Sequence, residues 1–338
     1  MYMAFLSDEI RYSPQRPVFA PILANTALSK VPGISGAGPS PDKTIYTPIL
    51  DAELIVNGRI TSMPIRPDTP TGCPTPATIT RAMMQLCNLV PFFINAGLEH
   101  SPTVPTYDLY GSAGGDPRYG DAVPHADALF HKGYYLGTSL STLSDMLVIG
   151  ECVPGGTTTA LCVLRALGYP ARVSSSMVTN PHSQKEDIAD AMNRRLKDEG
   201  KTEPLDIVSA TGDPMIPVAC GMLKGFSGDV VLAGGTQMLA VAAVARGLNL
   251  RVPRVVTTIY VRNDPSANFA EIAEAIGVAP IYVDPEFGEL GHTGLARYCI
   301  GEVKEGMGAG GAMYLAAAMD HSPSEIRAEI LRTITAYS

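Results

Sequence analysis

The chain has 338 residues, 46% of them hydrophobic and 17% charged, with a formal net charge of -8. These are the proportions of a globular protein long enough for one large α/β domain or two smaller ones. The acidic balance, with no dense basic patch, argues against a nucleic-acid or anionic-membrane surface, so any anionic ligand must be held locally. Six cysteines, Cys73, Cys87, Cys152, Cys162, Cys220 and Cys299, lie mostly in apolar surroundings without a Cys-x-x-Cys pair. That usage predicts reduced, buried thiols and a cytoplasmic protein rather than disulfides or zinc. The stretch Met1–Leu6 soon meets Asp8 and Glu9, and no run approaches the roughly 20 apolar residues of a membrane span, so neither a targeting signal nor an anchor is expected.

Residues 7–50 are rich in Pro, Ser and Gly, with Gly33–Pro39 the clearest turn cluster, which predicts loop and short extended pieces. Ile49–Val56 reads as a short helix or strand. Pro64–Pro76 carries too many prolines for regular structure. Pro76–Leu89 repeats Ala, Met and Leu at helical spacing, with Thr75 or Thr78 as its cap. Val90–Asn95 predicts a buried strand ending at Ala96-Gly97, and the loop beyond it carries Glu99 and His100. Residues 101–135, including Gly111–Gly115 and His125, lack periodicity and read as an irregular excursion over a site or a subunit interface.

From Leu143 onward, apolar runs alternate with helices, the signature of a βαβ array and a mainly parallel sheet. The strand Met146–Ile149 opens it and leads through Gly150-Glu151-Cys152-Val153-Pro154-Gly155-Gly156-Thr157-Thr158-Thr159 into the apolar helix Ala160–Leu167. A strand, a glycine turn and a helix start aim backbone N–H groups and the positive end of a helix dipole at one spot, which suits a phosphate. Lys185–Glu199 is an amphipathic helix whose charges read as a solvated face. Leu205–Ala210 reads as a strand leading to Gly212-Asp213-Pro214. Val230–Leu232, Gly234-Gly235-Thr236 and the helix Gln237–Ala245 repeat the opening theme, so that two anion nests on neighbouring strands would converge. Val255–Val261 and Pro280–Val283 read as strands and Asn268–Ile276 as a helix. Gly301–Ala312 combines charges with glycines ahead of the helix Met313–Met319, and a last amphipathic helix starts at Ser322 or Ser324 and ends near Ala336.

Several nucleotide chemistries lack their signatures. There is no Gly-x4-Gly-Lys-Ser/Thr pattern, and neither glycine turn offers a lysine. The spacing of a dinucleotide fingerprint is missing, which disfavours a dehydrogenase. The Val230–Thr236 turn has Leu232-Ala233 where ordinary phosphoribosyltransferases place an acidic pair for magnesium and ribose, so no metal and no cofactor are expected.

Gly150-Glu151-x3-Gly155-x-Thr157-Thr158, Gly234-Gly235, Gly288-Glu289-Leu290-Gly291-His292 and Glu305-Gly306-Met307-Gly308-Ala309 occur in one order and spacing. That ordered set resembles the nicotinate-nucleotide:dimethylbenzimidazole phosphoribosyltransferase family across about residues 143–320, in a divergent branch of archaeal and cyanobacterial type. The resemblance implies a three-layer α/β/α fold with a mainly parallel sheet, plus a smaller region from both chain ends. The division is placed at residues 85–306 for the α/β domain and 1–84 with 307–338 for the smaller region.

The same resemblance implies a homodimer that transfers 5-phosphoribosyl from nicotinate mononucleotide to an aromatic base, dimethylbenzimidazole or a relative such as adenine, for cobamide lower-ligand assembly. Glu305 falls on the family's catalytic base, and Glu151 lies near ribose or acceptor. Phosphate is expected on the amides of Gly155, Gly156, Thr157, Thr158, Gly234, Gly235 and Thr236. Glu289, His292, Gly306 and Gly308 complete the implied site. The family's Asn in the first turn is Gly156 here, its Asp-Gly after the later strand is replaced around Thr257–Tyr260, and its Asp-His-Gly is only shadowed by Ala96–His100.

Competing readings are structural. Glu305 can serve as a helix-capping carboxylate, Glu151 as a turn acid, His292 as a packed histidine, and Glu302 and Lys304 as surface charges. At the level of function, the competitor is a nucleotide-binding homologue that keeps the phosphate site without the chemistry.

Overall fold

The computed structural model describes residues 5–38 and 40–336; Met1–Ala4 of the N-terminal stretch, Pro39 of the glycine cluster, Tyr337 and Ser338 lie outside it. Seven parallel strands form the sheet: β1 (Pro17–Ala24), β2 (Ile94–Gly97), β3 (Tyr107–Asp108), β4 (Met146–Cys152), β5 (Asp229–Ala233), β6 (Arg254–Thr258) and β7 (Ile281–Val283). Their order is β3-β2-β1-β4-β5-β6-β7. From β1 the chain runs to one edge, and from β4 to the other. The crevice above the carboxyl ends of β1 and β4 is thus the switch point at which open α/β sheets place ligands.

Helices cover both faces. α1 (Thr47–Asn57) and α2 (Pro76–Leu86) belong to one outer layer. The other face carries α3 (Ala126–Ser141), α4 (Gly156–Ala166), α5 (His182–Glu199), α6 (Pro204–Thr211), α7 (Met215–Gly225), α8 (Thr236–Gly247), the short α9 (Ile259–Arg262) and α10 (Phe269–Ile276). After α11 (Thr293–Ala296), α12 (Ala309–Ala318) lies over β4 to β7 beside α2, and α13 (Pro323–Thr335) packs on α2. Residues 1–84, expected in the smaller region, therefore supply β1 to the centre of the sheet as well as α1 and α2.

The sheet is apolar because both faces are covered: every residue of β4 is buried. Strand β1 is equally buried along most of its length, yet Pro17 and Pro21 hide it from a sequence reading, since proline withholds a ladder donor. Leu205–Ala210, expected as a strand, is the helix α6. Pro204 in its first turn and Asp206 beside it are helix-start signals that outweigh a short apolar run. The irregular stretch 101–135 gives way to α3 at Ala126, whose Gly133 and Gly137 approach the backbone of α7. Strand β6 stops at Thr258, short of Val261. Thr75 stands at the N-cap of α2 but its hydroxyl turns away to Asp51, whereas Ser322 and Glu325 form a full capping box on α13. All six cysteines are free, and five are buried; Cys299 is exposed.

Helix α12 rides directly on the sheet: a Cβ at Gly311 would sit 2.2 Å from the Cβ of Ala233. Gly311→Val should cost about 3 kcal/mol through overpacking, read as a lowered urea midpoint at unchanged slope. Unaltered stability would show that α12 does not depend on this contact.

Candidate functional site

A cavity of about 660 Å³ opens above the carboxyl ends of the central strands, a size ordinary for a small-molecule site. Its walls include Glu151–Thr157 at the end of β4 and in the turn beyond it, Gly235, Thr236 and Gln237 after β5, and Lys304, Glu305 and Gly306 ahead of α12. Asp51 of α1 and the proline-rich segment 65–76 close the remaining side.

The two glycine turns meet. Gly155 has φ +81 at the N-cap of α4, a left-handed conformation that glycine adopts without cost, and a Cβ there would lie 2.8 Å from the Ser29 nitrogen. At Gly156 a Cβ would lie 2.4 Å from Nε2 of Gln237. Bare backbone at 156 thus lets the Gln237 carboxamide cross from α8 and donate to Glu151 Oε2 at 2.6 Å. Within the first turn, the Gly156 N–H is tied to Val153 O and the Thr158 N–H to Gly155 O. Thr158 is fully buried, with its hydroxyl unpartnered among the described residues and outside the cavity wall.

Four carboxylates share the wall: Glu151, Glu305, Asp51 and Asp68, the last paired with Arg66 at 3.5 Å. Glu151 also accepts from the Val153 N–H at 3.1 Å. Burial, reinforced by repulsion from Asp213, pushes it up to about 8. Asp213 itself is fully buried behind the wall, bonds Thr159 and the Met215 N–H, and is lifted by burial to about 6. Glu305 faces the first turn of α12: its oxygens accept from the N–H groups of Gly306 at 3.1 Å, Gly310 at 3.2 Å and Thr258 at 3.1 Å, with the Thr257 hydroxyl at 3.3 Å. It is therefore a capping carboxylate that also reaches the cavity. Burial pushes it up to about 7 against those donors, which sets its proton exchange near neutrality. Asp51 is lifted to about 7 by burial.

Positive charge comes from an unexpected place. Lys185, read as part of a solvated face, is fully buried on α5, and its Nζ donates to Thr157 Oγ1 at 2.8 Å. No carboxylate lies within ion-pairing distance of it among the described residues. Burial, and then the neighbouring Lys304, lowers its pKa to about 7. Lys304 is also buried rather than superficial; its ammonium pairs with Asp264 at 3.2 Å and donates to the Met177 and Gly301 carbonyls. Burial opposes ionisation of Asp264, but Ser174, Asn180 and Ser266 together with Lys304 hold its carboxyl well below the usual range. Glu302 is likewise buried and receives Thr69, Thr71 and Arg297, which fastens the proline-rich segment across the cavity mouth. Lys185 supplies the lysine that neither turn contains, an uncompensated cation placed beside an anion nest.

Of the residues expected at the site, Glu151, Gly155, Gly156, Thr157, Gly235, Thr236, Glu305 and Gly306 line the cavity. Gly234 spends its N–H on Val256 in the sheet and stays behind the wall. Gly308 packs against Gly150 and Phe19. Glu289 is exposed and outside the cavity, and His292 caps α11, its Nδ1 accepting the Leu295 N–H at 3.1 Å. Both follow β7 in the chain, where glycine spacing marks a turn and a helix cap. Glu99 pairs with Lys30 and His100 stacks on Tyr46, so neither reaches the cavity. Gln237 and Asp51 in the wall, and Lys185 and Asp213 beside it, were not expected there; the one sequence signal for Lys185 is its place at the buried edge of the Ile188–Met192–Leu196 stripe.

The doubly wound α/β sheet thus carries, at its switch point, a cavity with protonatable carboxylates in its wall and the buried Lys185 ammonium beside it. The fold is that of the nicotinate-nucleotide-dimethylbenzimidazole phosphoribosyltransferase from Thermus thermophilus, with TM-score 0.58 and 16% identity over 96% of this chain and 84% of that one. A structure of CobT from the same organism superposes with TM-score 0.59 and 16% identity, covering 96% and 85%. No family model matches the chain. A UPF0284 protein of Methanosarcina acetivorans is 42% identical over 341 residues, 97% of each chain, and one of Methanothermobacter thermautotrophicus is 45% identical over 313 residues, 88% of this chain and 87% of that one. The chain belongs to the UPF0284 family.

Sulfate stays a dianion across neutral pH and so isolates the protein's own titration. Its affinity should fall about tenfold per pH unit above 7, because binding must then return a proton to Lys185, while ionisation of Glu151 and Glu305 acts in the same direction. Lys185→Met should melt no lower than the parent, having lost an unpaired buried charge, and should bind sulfate at least about tenfold more weakly at pH 6. Equal sulfate affinity in titration calorimetry would remove Lys185 from the anion site.

Proposed function

We propose that this protein transfers the 5-phosphoribosyl group of nicotinate mononucleotide to a ring nitrogen of an aromatic base, giving an alpha-ribazole-type phosphate for the lower ligand of a cobamide. The observation that carries the reading is the pairing, around one cavity, of an uncompensated ammonium at a helix start with carboxylates that exchange protons near neutrality. Phosphate is placed against Lys185, the Thr157 hydroxyl and the turn at Gly235-Thr236, which leaves the anomeric carbon to face Glu151 and Glu305.

In the reaction the bond from the anomeric carbon to the pyridine nitrogen breaks, and its electron pair neutralises the positive ring nitrogen, so nicotinate departs without acid assistance. The acceptor nitrogen attacks the same carbon and gives its proton to a carboxylate. Glu305 is that base: it touches the cavity, and its orientation is fixed by four donors. Glu151 holds the ribose or acceptor. A second reading exchanges the roles, because Oε2 of Glu151 takes both of its donors while Oε1 lies open beside Gly234. The same reading carries a cytoplasmic homodimer; no helix among the described residues is long and apolar enough to cross a membrane.

Incubation with nicotinate mononucleotide and a panel of bases should release nicotinate in step with a ribosylated base. Glu305→Gln should lower turnover by a factor of at least about 100 and leave nucleotide binding within threefold or so. Loss of turnover in Glu151→Gln alone would make Glu151 the base. Tight nucleotide binding without release under any base would identify a non-catalytic nucleotide-binding homologue.

A further inference from the structure

Of the four carboxylates in the cavity wall, Asp68 pairs with Arg66 and two others are well supplied with donors. Glu151 takes a backbone N–H and the Gln237 carboxamide, and Glu305 takes three backbone N–H groups. Asp51 is 9% exposed and receives only the Thr75 hydroxyl at a long 3.3 Å and the Cys152 thiol at 3.8 Å. A thiol is a weak donor, and no cation lies within ion-pairing distance of Asp51 among the described residues. The lining supplied by the same segments combines apolar Leu50, Pro76 and Val153 with Thr47 and Thr75. A buried carboxyl with so little hydrogen bonding is costly unless a ligand completes it.

Its position relative to the chemistry is fixed by two short chains of contact. Cys152, which touches Asp51, is next to Glu151 in β4, and because successive strand side chains point to opposite faces Asp51 stands on the α1–α2 side of the cavity, across from the Glu151 side chain. Pro76, which follows Thr75, lies 3.3 Å from the point where a Gly306 Cβ would stand, next to Glu305. A flat base whose reacting nitrogen faces Glu305 can turn another edge toward Asp51.

We propose that Asp51 is the specificity-determining residue for the acceptor, and that it reads an amidine edge, a ring nitrogen beside an exocyclic amino group, as adenine carries. A carboxyl in its acid form sets an O–H donor beside a carbonyl acceptor, the complement of a ring-nitrogen acceptor beside an amino donor. Burial keeps the acid form accessible at neutral pH. A dimethylbenzimidazole presents methyl groups on the edge remote from its nitrogens and leaves Asp51 unsatisfied. The assignment rests on the transferase reading of this cavity for its role in turnover, but recognition of the base can be measured without turnover.

Equilibrium dialysis of adenine, purine and 5,6-dimethylbenzimidazole against the full chain tests it. Purine lacks only the amino group. The parent should bind adenine about 100-fold more tightly than purine, as sites built around a polar contact reject analogues that lack it. Asp51→Ala should erase that preference by weakening adenine, which loses both contacts, far more than purine, which loses only the one at its ring nitrogen. Asp51→Asn, which keeps an acceptor and a donor side by side, should retain most of the preference and serves if the alanine variant does not fold. Equal binding of adenine and purine by the parent, or an unchanged preference in Asp51→Ala, would overturn the assignment, as would uniform weakening of all three bases. Nicotinate release separates the two claims: an adenine preference that depends on Asp51, with no release under any base, overturns the transferase and keeps the recognition.

Discussion

The hydrogen bond from Gln237 Nε2 to Glu151 Oε2, 2.6 Å long and buried, is the contact on which the rest of the site depends. It joins the turn after β4 to the turn after β5, so two helix N-termini aim at one volume. It can form only because residue 156 has no side chain: the Gln237 carboxamide fills the space that a Cβ at 156 would enter. The family that the motifs resemble carries an asparagine at that position. Here the carboxamide reaches the turn from the neighbouring helix instead. A donor on a buried carboxylate also limits the cost of its charge, and because Gln237 uses Oε2 it leaves Oε1 toward the cavity.

Charge is sorted along the cavity by the same architecture. Helix α5 carries Lys185 beneath the first turn, where its ammonium has one hydroxyl and no counter-ion, while α1, β4 and the segment before α12 bring Asp51, Glu151 and Glu305 to the other walls. Burial moves the two classes toward each other in pKa, lowering the lysine and raising the acids. The ligand-free cavity can thereby approach neutrality by sharing protons rather than by ion pairing. A dianionic phosphate at one end and a proton-releasing base at the other satisfy both classes together. Lys304 takes no part in this exchange, since Asp264 and two carbonyls already engage it.

Much of the scaffold was legible because its signals are local. The glycine turns after β4 and β5, the helices that follow them and the switch to βαβ order come from punctuation and period, and Glu151, Thr157 and Thr236 on those turns share one cavity with Glu305, which the motif resemblance singled out. The N-terminal half was less legible: β1 is a central strand carrying two prolines, and its partners lie 70 or more residues away in the register Ile22 to Ile94 and Pro17 to Met146. Side chains that enter the site sideways were not legible at all. Lys185 sits in a helix where Asp187, Asp190, Arg194, Lys197 and Asp198 do face solvent, and Asp51 lies on a short helix that could equally have been a strand. Glu289 and His292 show the converse, a motif in the expected order whose residues stand in a turn and a cap outside the cavity lining.

The central claim, that this cavity holds a phosphoribosyl donor with its anomeric carbon facing the carboxylates, is tested most directly by a crystal structure of the protein soaked with nicotinate mononucleotide. Phosphate density against Lys185, Thr157 and Thr236, with the anomeric carbon turned toward Glu305 and Glu151, is the predicted result. Phosphate bound elsewhere, or a nucleotide in the cavity with its ribose turned away from both carboxylates, would contradict it.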